Sequence, residues 1–173
     1  MTVGEPLTMG APRRAPPFRK LLVANRSEIA IRVIRAANEL AIGTVAIYSH
    51  EDRFALHRFK SDESYLVGEG QDPVQAYLDI DEVIRVARKS GADAIHPGYG
   101  FLSEKPELAE ACAAAGVTFI GPRPDVMRSL GSKVAARALA QEAGIPMVPA
   151  SGALPRDPDE ARRIAAEIGY PVM

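Results

Sequence analysis

Short apolar runs alternate with helical patterns along the chain from Lys20 onward. The first run, KLLVA at residues 20–24, is continuously apolar, which is typical of a strand buried on both faces. Four further strand-like runs lie at residues 44–49, 63–68, 93–97 and 117–121. Apolar residues at helical spacing lie between them, at residues 27–40, 80–89 and 106–116. Strands separated by helices of this length indicate βαβ units, so we predict an α/β fold with a Rossmann-like parallel sheet.

The first predicted helix carries its own start and stop signals. Ser27 stands where an N-cap belongs, Glu28 favours the positive end of a helix, and Gly43 follows as a stop. We therefore expect the Ser27 side chain to cap this helix. Residues 55–59 are expected to form a helical turn after the second strand.

The pattern changes after Gly121. The expected elements are a connector with a short helix, a second helix, an extended stretch and a third helix, at residues 121–133, 133–144, 145–151 and 157–169. Residues 170–173, YPVM, look like a strand that is just beginning. A strand needs a partner, so we expect Met173 to be a truncation point.

Composition describes a globular chain with a leader. Of its 173 residues, 47% are hydrophobic and 25% charged, and the formal net charge is −1, so no global field recruits nucleic acid or an anionic membrane. The lone cysteine, Cys112, is expected to be a small buried filler and fits a reducing, cytoplasmic compartment. Residues 1–18 carry four prolines and predict a disordered leader, with a transit peptide as the alternative. A first domain is predicted at 19–122 and the truncated start of a second at 123–173.

The turn after the first strand excludes one familiar kind of site. A dinucleotide-binding sheet places a G-x-G-x-x-G fingerprint there, yet this chain has no glycine between Lys20 and Gly43. Asn25 tolerates tight turn geometry, and Arg26 is able either to hold an anion or to tie loops together. The residues themselves leave both roles open.

The loop HPGYGF, residues 96–101, is the most unusual stretch of the chain. Gly98 and Gly100 allow backbone angles or close approaches that a Cβ forbids, and ligands collect at the carboxyl ends of parallel strands. We expect Tyr99 to be exposed at a site and Phe101 to pack on the core. His96 is expected to be structural, because no partner lies at metal-ligand spacing.

Two further features carry charge in places that need an explanation. Lys133 falls in the first turn of a predicted helix, where a cation is disfavoured unless a phosphate binds beside it. Arg32, Arg35 and Glu39 lie on the polar side of the first helix, as a solvated stripe or as a subunit contact.

Taken together, these motifs are similar to a known family. Six segments closely resemble the N-terminal part of the biotin carboxylase module of biotin-dependent carboxylases: LLVANRSEIAIRVIRAANELAIGTVAIYSHEDRFALH, YLDIDEVI, GADAIHPGYGFLSE, FIGP, LGSKVAAR and GYPVM. The likeness runs from Phe18 to Met173 in order and without a large gap. Within the family, ALHRFKSDESYLVG is most similar to the pyruvate carboxylase type, and the acetyl-CoA, propionyl-CoA and methylcrotonyl-CoA carboxylases are close rivals.

The resemblance implies a pre-ATP-grasp domain of Rossmann-like form followed by the truncated start of an ATP-grasp domain. The family uses Mg-ATP to activate bicarbonate as carboxyphosphate and then carboxylates N1 of biotin on a mobile carrier domain. Pyruvate carboxylases pass that carboxyl group to pyruvate, which gives oxaloacetate.

Site roles follow from the resemblance position by position. Lys133 matches a lysine that contacts ATP, and Tyr99 matches a tyrosine beside the biotin site, where Gly98 and Gly100 would let the loop lie close to the ureido ring. Tyr99 and Lys133 are therefore expected to converge on one cleft.

The resemblance also bears on assembly and on two departures. Arg32, Arg35 and Glu39 match residues of the module's dimer interface, which implies a homo-oligomer through the first helix. Many relatives have glycine where this chain has Ser27, and GPK where it has GPR; both changes are mild.

The family's glycine-rich phosphate loop, Mg²⁺-binding glutamates and bicarbonate-binding basic residues are expected to follow Met173. We therefore predict no catalytic residue in this chain and no ATP turnover by it alone. The alternatives are a self-contained nucleotide-binding module and an interaction subunit that pairs through its first helix.

Overall fold

The computed structural model describes residues 17–172, which divide into two compact units with the boundary along the chain between Gly121 and Pro122. The predicted leader lies outside the described residues except for Pro17 and Phe18, and Met173 lies outside them as well.

The first unit is a five-stranded parallel sheet with helices on both faces. Its strands are β1 (Lys20–Val23), β2 (Gly43–Tyr48), β3 (Glu63–Leu66), β4 (Ala94–His96) and β5 (Thr118–Phe119). Its helices are α1 (Ser27–Glu39), α2 (Pro73–Leu78), α3 (Ile80–Ser90) and α4 (Pro106–Ala114), and two 3₁₀ turns lie at Glu51–Phe54 and Leu56–Phe59. The strand order is β3-β2-β1-β4-β5, with every pair parallel. The predicted α/β fold with a Rossmann-like parallel sheet is confirmed.

The central strand β1 is buried on both faces because its side chains alternate between two cores. Leu21 and Val23 pack with α1 on one face, whereas Leu22 packs on the other face with residues that include those of α3 and α4. The parallel pairing of β1 with β4, in which Leu22 lies opposite Ile95, brings the ends of these two strands to the same edge of the sheet. The loops that follow β1 and β4 are therefore neighbours.

Two details of the first unit differ from expectation. Ser27 does not cap α1: Arg26 holds the cap position without a side-chain hydrogen bond, and Ser27 has a positive φ of 56°. Gly43 does not stop the helix either, because α1 ends at Glu39 and Gly43 begins β2.

Helix α2 was not predicted. It begins with Pro73 after Asp72, whose side chain accepts a hydrogen bond from the Val74 N–H at 3.0 Å. An N-cap aspartate followed by proline at the first helical position is the sequence signal that could have located it.

The second unit contains α5 (Pro124–Leu130), α6 (Lys133–Glu142) and α7 (Pro158–Ile168), with no strand among its described residues. The strand expected at YPVM is therefore wrong for residues 170–172, which are irregular and have no strand to pair with in the described part of this unit. Across both described units, no helix combines the length and the hydropathy that crossing a bilayer requires.

Candidate functional site

The candidate site is built on residues 96–101, which we call the Tyr99 loop. It leaves the carboxyl end of β4 beside the end of β1, and the Ala24 N–H donates to the His96 carbonyl at 2.9 Å. Gly98, Gly100 and Phe101 all have positive φ values, of 68°, 64° and 46°. This backbone is a series of turns that glycine adopts easily and other residues adopt at a cost.

Asn25 holds the Tyr99 loop from beneath. Its side chain is 2% exposed, and its amide donates to the carbonyls of Pro97 at 2.8 Å and Tyr99 at 2.9 Å. Its oxygen accepts from the Arg26 N–H at 2.9 Å. The sequence predicts that Asn25 serves a turn. In the structure its amide binds the backbone of the neighbouring loop.

The two glycines of the loop have different surroundings. A Cβ at Gly98 would lie 2.7 Å from Asn25 Nδ2, whereas a Cβ at Gly100 would meet nothing within 4 Å. The close backbone approach at Gly98 is thus toward Asn25 within the protein. This contact accounts for Gly98 without a ligand, and the cofactor role of both glycines stays a prediction.

Arg26 ties several loops together. Its guanidinium donates to Asp52 at 3.0 Å and lies over the rings of Tyr77 and Phe101, at 5.7 and 5.8 Å from their centroids. The Tyr77 hydroxyl donates to the same Asp52 oxygen at 2.7 Å. Of the two roles left open for Arg26, these contacts favour the structural one.

This arrangement shifts the acidities of its members. Burial opposes ionisation of Asp52, but hydrogen bonds from Tyr77 and Arg26 outweigh it and lower the pKa of Asp52. Burial, followed by the hydrogen bond to Asp52, raises the pKa of Tyr77 above its ordinary value. Arg26 and Asp52 therefore form a fixed ion pair with a neutral phenol beside it.

His57 is buried next to this cluster. Its Nε2 lies 3.1 Å from the Ile47 carbonyl, and its Nδ1 accepts from the Ser27 N–H at 3.3 Å. The neutral tautomer with a proton on Nε2 satisfies both contacts, and burial lowers the pKa of His57.

Tyr99 points its side chain away from the core. The side chain is 61% exposed, as expected, and its hydroxyl donates to Glu28 at 3.1 Å. Glu28 in turn accepts from Arg32 at 3.3 Å. An apolar groove of about 580 Å³ runs beside the ring, lined among others by Ile29, Val33, Ile42 and Ile120.

The other predicted residues of the first unit lie on α1, at the end of β4 and in α4. Arg35 and Glu39 form an exposed ion pair of 3.4 Å on α1. His96 is half-buried and accepts from the Gly98 N–H at 2.9 Å, so its structural role is supported, and burial lowers its pKa. Cys112 is buried, as expected, and burial raises the pKa of its thiol to about 11.

Lys133 belongs to the second unit. It is exposed and is the first residue of α6, whose N-cap Ser132 accepts from the Ala135 N–H at 3.5 Å. The helix therefore starts where the sequence predicts.

Sequence reasoning missed Asp52, Tyr77 and His57. Their partners lie far away along the chain, so local patterns do not show the contacts. The described residues hold no group of three or more histidine, cysteine or acidic side chains that could bind a metal ion.

The first unit defines an α/β domain that lacks a dinucleotide fingerprint and presents a clamped aromatic loop at the carboxyl ends of its strands. The chain belongs to the family described as biotin carboxylase, N-terminal domain, which it matches over residues 17–127. Residues 132–173 match a second family, the ATP-binding domain of the carbamoyl-phosphate synthase L chain.

Individual relatives agree with the family. The mitochondrial pyruvate carboxylase of Rattus norvegicus is 53% identical over 157 residues, which are 91% of this chain and 13% of that protein. A crystal structure of a complete multifunctional pyruvate carboxylase from Rhizobium etli is 64% identical with a TM-score of 0.74, over 78% of this chain and 13% of that chain. The Hydrogenobacter thermophilus 2-oxoglutarate carboxylase biotin carboxylase domain dimer, with MgADP and bicarbonate, is 47% identical with a TM-score of 0.81, over 89% and 34%. The chain thus spans between 13% and 34% of the length of these relatives.

Proposed function

We propose that this chain supplies the pre-ATP-grasp domain and the start of the ATP-grasp domain of an ATP-dependent biotin carboxylase of the pyruvate carboxylase type. The observation that carries the proposal is the 53% identity with a pyruvate carboxylase over 91% of the chain. The complete reaction would carboxylate biotin with bicarbonate and transfer the carboxyl group to pyruvate, which gives oxaloacetate.

Two residues of the chain are assigned to ligands in this proposal. Tyr99, flanked by Gly98 and Gly100, would line the biotin site, and its exposure on a rigid loop supports that role. Lys133 would contact ATP, and its position at the N-terminus of α6 supports that role because free N–H groups and a cation favour the same anion. Both would face one cleft in the longer protein.

The remaining chemistry would be supplied by residues outside this chain. Phosphoryl transfer depends on metal ions and cations around the γ-phosphate, and one lysine does not replace them. Mg²⁺, bicarbonate and the biotinyl carrier domain would be bound by downstream parts of the longer protein. We therefore propose that the 173-residue chain alone does not turn over ATP.

A chimera tests the proposal directly. Residues 17–172 of this chain replace the matching segment of the Rhizobium etli enzyme, and oxaloacetate formation from pyruvate, bicarbonate and ATP is measured. We expect activity within about tenfold of the parent, since the substituted segment carries compatible core and site residues. A folded chimera without biotin-dependent ADP release would contradict the proposal.

Site variants in the same chimera separate the two ligand roles. Tyr99→Ala is expected to raise the KM for biotin, and Lys133→Ala the KM for ATP, each by about tenfold or more for the loss of a direct contact. Equal effects of both variants on both constants would count against the assignment.

The acyl acceptor has rival candidates in the acyl-CoA carboxylases. Supplying pyruvate or an acyl-CoA to the longer native protein decides between them. A non-catalytic nucleotide-binding module is the other alternative. It would bind Mg-ATP measurably in calorimetry with this chain alone, which we do not expect.

Assembly and location complete the proposal. Homo-oligomerisation through α1 is supported by the exposure of Arg32, Arg35 and Glu39. We propose a cytoplasmic location on the single free thiol, with a mitochondrial location, as in the name of the rat relative, as the alternative, and cell fractionation distinguishes them.

A further inference from the structure

Asn25 uses its amide in a way that allows a single orientation. The two N–H groups face the carbonyls of Pro97 and Tyr99, and the oxygen faces the Arg26 N–H. Turning the amide over would set its oxygen against two acceptors and its NH₂ against a donor. The side chain is therefore fixed by three directed contacts and by near-complete burial.

The Tyr99 loop is shaped around this amide. The two bound carbonyls lie on either side of Gly98, and the backbone of Gly98 passes so close that a Cβ would meet Nδ2 and Cγ at 2.7 and 2.9 Å. The Gly98 N–H is bound on its other side by His96. Asn25 and His96 thus hold the peptide units next to Tyr99.

The far side of the loop is held by the residue that follows Asn25. Arg26 stacks over Phe101, whose ring centroid lies 5.3 Å from that of Tyr77. The backbone is clamped before and after Tyr99, while the Tyr99 side chain itself is left exposed. A fixed backbone with an exposed side chain, whose hydroxyl is held by Glu28, is an arrangement that presents a ring to a ligand at low entropic cost.

We infer that Asn25 is a positioning residue: it sets the backbone of the Tyr99 loop so that the phenol stands at the biotin site. The inference rests on the proposed role of Tyr99. Asn25 itself touches no ligand, because it is buried beneath the loop.

Hydrogen exchange in this chain tests whether Asn25 holds the backbone of the Tyr99 loop. Asn25→Asp keeps the shape but replaces both donors with an oxygen, and we expect the Gly98 amide, which His96 binds in the parent chain, to exchange about tenfold faster or more, for two lost hydrogen bonds. Asn38→Asp, the same change at an exposed position of α1, is the matched control. Unchanged exchange at Gly98 in Asn25→Asp would overturn the inference.

A pair of glycine variants gives a second route that leaves Asn25 intact. Gly98→Ala and Gly100→Ala face a similar positive φ, but only the first brings a Cβ against the Asn25 amide. We therefore expect the side-chain amide protons of Asn25 to exchange faster in Gly98→Ala than in Gly100→Ala. Equal effects of the two would show that backbone strain, and not the Asn25 contact, governs the loop.

The chimera tests the functional part with free biotin as the probe. We expect Asn25→Asp to raise the KM for biotin several-fold and to leave the KM for ATP unchanged, a split that general destabilisation would not produce. If Tyr99→Ala raises the KM for biotin and Asn25→Asp does not, the positioning inference is overturned. If Tyr99→Ala also leaves it unchanged, the proposed role of Tyr99 fails, and the inference fails with it.

Discussion

Ser27 is a residue in a conformation that suits glycine better. Its φ of 56° is in the left-handed region, and its hydroxyl makes no cap to α1. We expect Ser27→Gly to stabilise the chain by up to about 1 kcal/mol, the strain relieved less the entropy that glycine loses on folding. Urea unfolding followed by circular dichroism measures it.

Ser27→Ala is the matched control, because alanine also lacks the hydroxyl but keeps a Cβ. It should be no more stable than the parent chain. A gain as large as that of Ser27→Gly would show that the hydroxyl, and not the backbone angle, is unfavourable here.

His57 gives the chain a pH dependence of definite sign. Burial lowers its pKa from the ordinary 6.5, and Asp52 and Arg26, which oppose each other, are the charges that act on it. The unfolded chain takes up a proton below pH 6.5 that the folded chain does not, so stability is full above that pH and is lost as the pH falls toward the folded pKa.

In that window, the free energy of unfolding is expected to change by at most about 1.4 kcal/mol per pH unit for one histidine. Unfolding free energies of the parent and of His57→Gln, measured at about pH 7.5, about pH 6.5 and about pH 5.5 to span the histidine range, should converge as the pH falls. Half-buried His96 contributes with the same sign in both proteins, so the difference isolates His57. Parallel curves would contradict the argument.

At the scale of elements, helix α1 bears on both proposed roles of the first unit, the biotin site and the homo-oligomer interface. Its inner face packs on the sheet, while the pairs Arg32–Glu28 and Arg35–Glu39 are exposed. Exposed pairs of this spacing contribute only about 0.3–0.5 kcal/mol each to a helix. Their charges can therefore be changed with little effect on folding.

Charge reversal on α1 tests the proposed homo-oligomer. In the longer protein proposed above, Arg32→Glu is expected to weaken self-association about tenfold or more, because reversing a charge at an interface turns complementary contacts into repulsive ones. Sedimentation velocity measures the change, and Arg88→Glu on α3 is the control, with the same charge reversal at an exposed position. Unchanged association of Arg32→Glu would exclude α1 from the interface.

The sequence predicted the elements better than the contacts between them. Continuous apolar runs located the sheet because buried parallel strands have little other choice of residue. The prediction that Ser27 caps α1 was wrong, because residue type does not reveal a positive φ. The Arg26–Asp52 pair joins residues that are 26 positions apart, so no local pattern carries it.

At the scale of the whole molecule, the two units differ in how much they bury. Most of the core lies in the first unit, and Met127 is the single buried hydrophobic residue among the described residues of the second. Large apolar side chains of the second unit are exposed instead: Leu130, Val134, Leu139, Ile145, Val148, Leu154 and Val172. A unit of this size buries too little apolar surface to be stable by itself.

This difference in burial predicts where limited proteolysis cuts first. Within the described residues 17–172, we expect trypsin to cut first in the second unit, at Arg137, Arg156 or Arg162, and to leave a resistant fragment that contains the whole first unit. The reason is that cleavage requires local opening, and opening costs least where few apolar contacts are broken. Mass spectrometry of the early fragments locates the cuts.

The longer protein proposed above is the matched comparison. If it covers the apolar surface of the second unit, as the proposed ATP-grasp domain requires, the same sites should become resistant by about tenfold or more in rate, since each buried side chain adds about 1.5–3 kcal/mol to the cost of opening. Equal cleavage rates in the two proteins would mean that nothing packs on this surface. Early cuts within the sheet of the first unit would contradict the difference in burial itself.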